Sequence, residues 1–142
     1  GHRAAWMGLI YDEAVKAGID IEEVMRRAIA RRGEQDGKKF RAKCEDITDL
    51  ASFRKVFLDE LGMNTFDMEV EECSAQDLKI QFHHCPLLAA WEDLGMDDAQ
   101  CAKLCDIAMD GDRSIAGAMG LKFDLNGAIA DGCTTCSLHF HK

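Results

Sequence analysis

Cys85 stands between His84 and Pro86, at the point where an alternating apolar run gives way to a helical one. Proline is pre-organised for the first position of a helix. Cys85 is therefore the expected N-cap of a short helix, Leu87 to Leu94, ended by Gly95. A thiol at a helix N-terminus has its thiolate stabilised by backbone N–H groups and by the helix dipole. With a histidine adjacent, the pair carries the parts of an activated nucleophile. The alternation Leu78, Ile80, Phe82 extends to His84 and puts it on the core side of its strand, near the strand end. Neighbours on a strand point to opposite faces, so His84 can serve Cys85 as base only if the chain turns there. Otherwise His83, on the Cys85 side, is the competing base.

Further polar residues fall on apolar stripes. Advancing by about 100° per residue, a long helix opened by an Asp97/Gln100 capping box carries Cys101, Leu104, Cys105, Ala108, Ile115 and Met119 on one side. Asp112 lies inside that stripe, whereas Asp106, Asp110 and Arg113 lie opposite. A carboxylate on an apolar stripe must be paired, hydrogen-bonded or protonated. Cys136 shares a strand face with Leu138 and Phe140 and is expected to point at the helices. Cys44, Cys73, Cys101 and Cys105 are each readable as small apolar residues. Cys133-x-x-Cys136 with His139-x-His141 offers four soft ligands, but a strand over 136 to 141 turns both histidines away from Cys136. No metal and no cofactor is therefore expected.

The elements that must position these groups change period once along the chain. Residues 1–63 read as a mainly helical segment. A first stripe over Ala5-Trp6, Leu9-Ile10 and Ala14 ends near Gly18. A second helix is expected to be capped by Asp20 with Glu23 as a box and Ile19/Val24 as a staple, and to run to Gly33. A polar stretch around Gly37 and a short helical piece over Lys38 to Cys44 follow. The third helix is capped by Asp46 or Thr48, carries Leu50, Phe53, Phe57 and Leu61 inward, and stops at Gly62. Residues 64–142 form an α+β core. Phe66, Met68 and Val70 alternate with acids, and a turn at Ser74 to Asp77 leads into Leu78, Ile80 and Phe82, which makes a hairpin. Leu121 to Leu125 and Thr134 to Phe140 give a second pair of strands. The fold class is α+β in a single domain, N-terminal helices followed by β-β-α-α-β-β, with an antiparallel sheet covered by helices on one face.

The balance of 26 acidic against 17 basic residues gives a formal net charge of -9 and argues against nucleic acid or an anionic membrane surface as partner. Arg26-Arg27 to Arg31-Arg32 is expected to be a solvated helix face. No apolar run approaches the roughly 18 residues of a membrane span. A chain of 142 residues can bury a core without disulfides. Its 7 cysteines, with no basic-then-apolar leader visible and Gly1-His2 reading as a cloning remnant, point to free thiols in a reducing cytoplasmic compartment. Trp6 and Tyr11 leave open whether the first helices pack on the sheet or form a homo-oligomer with a second copy.

His84-Cys85-Pro86-Leu87 with Trp91, then Leu104 to Met109 followed by Gly111-Asp112-Arg113, and the closing Ala130-Asp131-Gly132 to Cys136 stretch, together resemble the L-2-amino-thiazoline-4-carboxylic acid hydrolase family. The resemblance runs from about His83 to the end. That family is in turn similar to vinyl-reductase-type ligand-binding domains, some of which hold zinc through a glutamate and cysteines. Here the upstream positions are Leu125 and Ala128, so no zinc comes with the likeness; Cys133 stands where the closing motif usually has an acid. The resemblance implies a hydrolase acting on a carbon–nitrogen bond of a cyclic amidine, opening a small 2-aminothiazoline carboxylate to a carbamoyl-cysteine. Such chemistry needs a strong nucleophile, an acid to pair the amidinium and a proton donor for the leaving atom. Cys85 suits the nucleophile, His84 the acid/base and Asp112 the amidinium partner. Cys105, Cys136 and Trp91 would line the pocket, and Arg113 would pair the substrate carboxylate despite its outward face. If water attacks directly, His84 or Asp112 becomes general base and Cys85 a wall residue. The alternative is a small-molecule-binding or sensing domain without turnover.

Overall fold

A computed structural model describes residues 2–58, 63, 66–132 and 136–142. Helices α1 (His2–Lys16), α2 (Glu22–Lys43) and α3 (Leu50–Phe57) precede a hairpin of β1 (Met68–Cys73) and β2 (Asp77–Phe82). Then come α4 (Pro86–Asp93), α5 (Asp98–Ala108), α6 (Asp110–Met119), β3 (Lys122–Leu125), a 3-10 turn over Ile129–Asp131 and β4 (Cys136–His141). The four strands form one antiparallel sheet in the order β1-β2-β4-β3. Leu78, Ile80 and Phe82 of β2 and Cys136, Leu138 and Phe140 of β4 are buried under the helices. The residues between them, Lys79, Gln81, Ser137 and His139, face the other way. Phe140 holds the centre, with the rings of Phe53, Phe57 and Phe123 all within 5.2 Å. Full burial of such a side chain contributes about 1.5–3 kcal/mol. The α+β class, the element order and the one-sided cover all match the expectation from the sequence.

Helix α2 departs from it. It does not stop at Gly33 but runs on through Gly37 to Lys43 without a break. Both glycines are buried against α6. A Cβ on Gly33 would lie 2.4 Å from the Gly111 carbonyl oxygen, and one on Gly37 would lie 2.6 Å from Ala118 Cβ. The glycines are thus contact surface between two helix backbones, not terminators. Ahead of them, Arg26 reaches Asp106 at 2.6 Å and Asp110 at 3.3 Å while also pairing Glu22, so it ties α2 to α5 and α6 instead of forming a solvated face. The long helix expected from Asp97 is divided at Met109, although Met109 N–H still donates to Cys105 and Arg113 N–H to Met109, so the axis carries through.

Several caps are resolved. Asp97 accepts from Gln100 N–H at 2.8 Å and the Gln100 side chain accepts from Asp97 N–H at 3.0 Å, the expected box. The box at Asp20 is absent: α2 starts one residue later, at a backbone N-cap on Ile21, and Asp20 only reaches Glu22 N–H at 3.4 Å. Ile19 and Val24 are exposed, so they form no staple. Asp49, not Asp46 or Thr48, caps α3 by accepting from Ala51 N–H at 2.9 Å, because Asp46 is occupied by the Thr48 hydroxyl and amide. Helix α3 ends at Phe57, with extended Leu58 as its C-cap, short of the expected stop at Gly62; Leu61 and Gly62 themselves lie outside the described residues, as does Thr134.

Helix α1 packs on α4. Gly8 sits so close to Trp91 that a Cβ would meet its Cδ1 at 2.9 Å, and the Trp91 indole N–H donates to the Ala4 carbonyl at 2.8 Å. Tyr11 packs against the core, while Trp6 and Ile10 are exposed. Among the described residues, no helix is long and apolar enough to cross a membrane.

Candidate active site

Pro86 at N1 starts α4, and Cys85 is its N-cap with extended backbone, as the sequence implies. The Cys85 Sγ accepts from the Leu88 N–H at 3.4 Å. Cys105 arrives from α5 and Cys136 from the first residue of β4. Together with Trp91, Phe82 and Met109 these three cysteines line one enclosed apolar cavity beneath the helices, with about 20 Å³ of free space. Cys136 is placed as Cys85 is: its Sγ accepts from the Ile129 N–H at 3.2 Å, at the start of the 3-10 turn. Two thiols from distant parts of the chain thus each face a backbone donor.

A second space adjoins the first. An open cleft of about 550 Å³ runs between α4, α5 and the 3-10 turn, and its described lining includes Leu88, Glu92, Asp98, Ala102 and Ile129. Leu88 and Ile129 are the residues whose amides hold the two thiols. The wall of the open cleft is therefore also the roof over Cys85 and Cys136. Glu92 and Asp98 are exposed at this cleft. Burial pushes the Cys101 thiol up, and the nearby charges of Glu92, Asp98 and Asp97 add to it. An acidic, open mouth suits a small cation.

The other residues singled out from the sequence lie elsewhere. The last described row of the sheet joins Met68, Phe82 and Cys136, and His84 extends beyond it and is exposed instead of core-facing. Its N–H donates to the Phe66 carbonyl, and the His83 N–H donates to Asp67. The His83 ring pairs Glu69 at 3.0 Å. Neither histidine lines the cavity or the cleft. Asp112 does take the core-side stripe, one turn before buried Ala116 and after cavity-lining Met109. It is half-buried, and burial raises its carboxyl pKa to about 6 against the pull of Arg113. It does not line the cavity. Arg113 points outward, forked onto Asp106 at 2.9 Å and Asp110 at 2.6 Å, so its charge is spent within the ion-pair cluster. Cys136 and the two histidines of β4 lie on opposite faces, and Cys133 is outside the described residues.

Glu92 and Asp98 went unnoticed in the sequence. They flank the Gly95 turn between two helices, and only the packing of α4 beside α5 turns both toward one space. Against known proteins, the family model described as L-2-amino-thiazoline-4-carboxylic acid hydrolase matches residues 2–140. No curated protein and no solved structure matches.

Proposed function

We propose that this chain, which belongs to the L-2-amino-thiazoline-4-carboxylic acid hydrolase family, opens the ring of a small 2-aminothiazoline carboxylate or a related cyclic amidine. The observation that carries this reading is the shared wall: Leu88 and Ile129 line the open cleft, and their amides donate to the thiols of Cys85 and Cys136. The protonated amidine binds in the cleft against Glu92 and Asp98, which take over the role first considered for Asp112 because they line the open space. The closed cavity has no room for the ring, so Leu88 and Ile129 must yield for the reacting carbon to meet a thiol.

Cys85 then adds as a thiolate to the carbon between ring sulfur and nitrogen. The ring carbon–sulfur bond breaks, the released sulfur takes a proton, and the substrate is held on Cys85 as an isothiourea. One water adds to the same carbon and expels the Cys85 thiolate, leaving the carbamoyl group. Both carbon–nitrogen bonds of the product survive, so atom balance assigns the broken bond to carbon and sulfur, not to carbon and nitrogen. Cys105, Cys136 and Trp91 keep the reacting carbon in apolar surroundings; the Trp91 N–H, committed to Ala4, binds no substrate. His84, exposed beside Cys85, is left as an acid–base group only if the opened mouth reaches it. The partner in this reading is a small molecule in a cytoplasmic setting, and no nucleic acid or membrane enters it.

The test is mass spectrometry of wild type, Cys85→Ala and a Glu92→Gln/Asp98→Asn double variant, each incubated with L-2-aminothiazoline-4-carboxylate. Product one water heavier from wild type only, with an adduct on Cys85, is the expected result. Product from Cys85→Ala as well removes the nucleophile role and leaves attack by water. No product from wild type, with the substrate still raising the melting temperature, moves the ligand-binding reading ahead.

A further inference from the structure

The solvent face of the sheet carries a cluster unrelated to the thiols. Asp124 of β3 and His139 and His141 of β4 each offer one ligand atom, and these atoms lie within 4.8 Å of one another. Asp77 of β2 adjoins them. Backbone pairing sets Asp77 opposite His141 and Asp124 opposite His139. The side chains cross this register: Asp77 meets His139 Nε2 at 2.7 Å and Asp124 meets His141 Nε2 at 2.6 Å. The two imidazoles lie beside each other with ring centres 4.5 Å apart.

The two nitrogens of His141 decide what this arrangement wants. Nδ1 faces the Lys142 main-chain oxygen at 3.1 Å and Nε2 faces the Asp124 carboxylate at 2.6 Å. Both partners are acceptors. A neutral imidazole has one N–H, so one of the two contacts needs an additional cation between ring and oxygen, either a proton or a metal ion. Donating Nδ1–H to a main-chain oxygen is the arrangement that leaves Nε2 as a metal ligand with its ring orientation fixed. The carboxylate that completes the ion's coordination is already beside that nitrogen. A second imidazole adjoins, itself braced by a carboxylate.

We propose that Asp124, His139 and His141 bind one divalent transition ion of the zinc type, with Asp77 orienting His139. Imidazole and carboxylate suit such an ion, and three protein ligands leave a position for water. Magnesium, which prefers an oxygen shell, is not expected to compete. The cluster lies on the opposite face of the sheet from the cavity, so the site stands or falls independently of the proposed reaction. Lys79 flanks it but is engaged by Glu72 at 3.3 Å.

The experiment uses the reduced, metal-stripped protein titrated with Zn²⁺ and with Co²⁺, followed by calorimetry, by imidazole nitrogen NMR and by visible absorption. One ion per chain is expected, shifting the His139 and His141 resonances together while those of His83 and His84 stay. The cobalt spectrum should show no thiolate charge-transfer band. His141→Gln should abolish the step, and Asp77→Asn should weaken it by about ten- to a hundredfold. A thiolate band, unmoved His139 and His141 resonances, or undiminished affinity in His141→Gln would overturn the site. The resonance test on wild type decides the matter even if a variant fails to fold.

Discussion

Replacing Gly33 by alanine sets two predictable effects against each other. In an isolated helix the change is favourable by about 1 kcal/mol, because glycine is the costlier helix residue. At Gly33 the new Cβ would lie 2.4 Å from the Gly111 carbonyl oxygen and 3.0 Å from its Cα and carbonyl carbon. All of these are backbone atoms, so no rotamer relieves the contact, and α2 and α6 must separate by about 1 Å to restore ordinary contact near 3.5 Å. Overpacking of this kind costs ~1–3 kcal/mol, and the upper end applies where two backbones collide. The net expectation is a loss of ~2 kcal/mol, a fall in melting temperature of about 8 °C for a chain of this size. Gly117, on the same helix α6, has nothing within 4 Å of its would-be Cβ. Gly117→Ala should therefore gain ~1 kcal/mol and melt about 4 °C higher. Gly37→Ala should fall like Gly33→Ala, and adding Ala118→Gly should recover part of the loss, since the 2.6 Å contact is with that methyl group. Thermal unfolding followed by circular dichroism checks all four. If Gly33→Ala melts at or above wild type, the close approach of α2 and α6 is refuted.

Asp112 gives a pH signature. Its carboxyl moves from an ordinary 3.8 to about 6 on folding, so the native state holds the proton more tightly and stability falls as pH rises from about 4 through 6. The full shift corresponds to ~3 kcal/mol, and residual contact with water reduces it to ~1–2 kcal/mol. Asp112→Asn should match wild type in urea unfolding at pH 4 and exceed it by that margin at pH 7; an equal difference at both pH values would sink the assignment. Arg26→Leu strips the bridge to Asp106 and Asp110 and should cost about 1 kcal/mol, with the loss shrinking in high salt; a salt-independent loss would mean packing, not charge. Under a thiol-specific reagent, exposed Cys73 should be modified first and Cys101 last among the described thiols, because Cys101 is buried and its thiol is pushed up. Peptide mapping of a time course shows the order, and early labelling of Cys101 would contradict it.

Local signals were legible wherever a residue acts through its own backbone neighbours. The Asp97/Gln100 box, the Cys85 cap before Pro86, the hairpin turn after Cys73 and the inward faces of β2 and β4 all follow from spacings within one element. The misreadings share a different cause. Gly33 and Gly37 look like punctuation until a second helix approaches, and Arg26 looks solvated until Asp106 and Asp110 are brought to it from some eighty residues away. His84 obeys the alternation of its strand, but the sheet ends before it. Cys85, Cys105 and Cys136 do converge, each for a separately readable reason, and Trp91, named only through the resemblance, joins them, whereas Glu92, Asp98 and the cleft they border arise only from how α4, α5 and the 3-10 turn pack.

The place of β4 in the sheet bears on how the chain is born. The last of the described strands in chain order, Cys136–His141, lies between β2 and β3 and supplies the pairing edge for both. A ribosome that has released everything up to the cleft has delivered the helices and the first hairpin, yet β2 still lacks a neighbour on one side and Phe140 has not reached Phe53 and Phe57. Until β4 emerges, the nascent chain presents an unpaired strand edge at Leu78, Ile80 and Phe82, which is the form in which chaperones and aggregation compete for it.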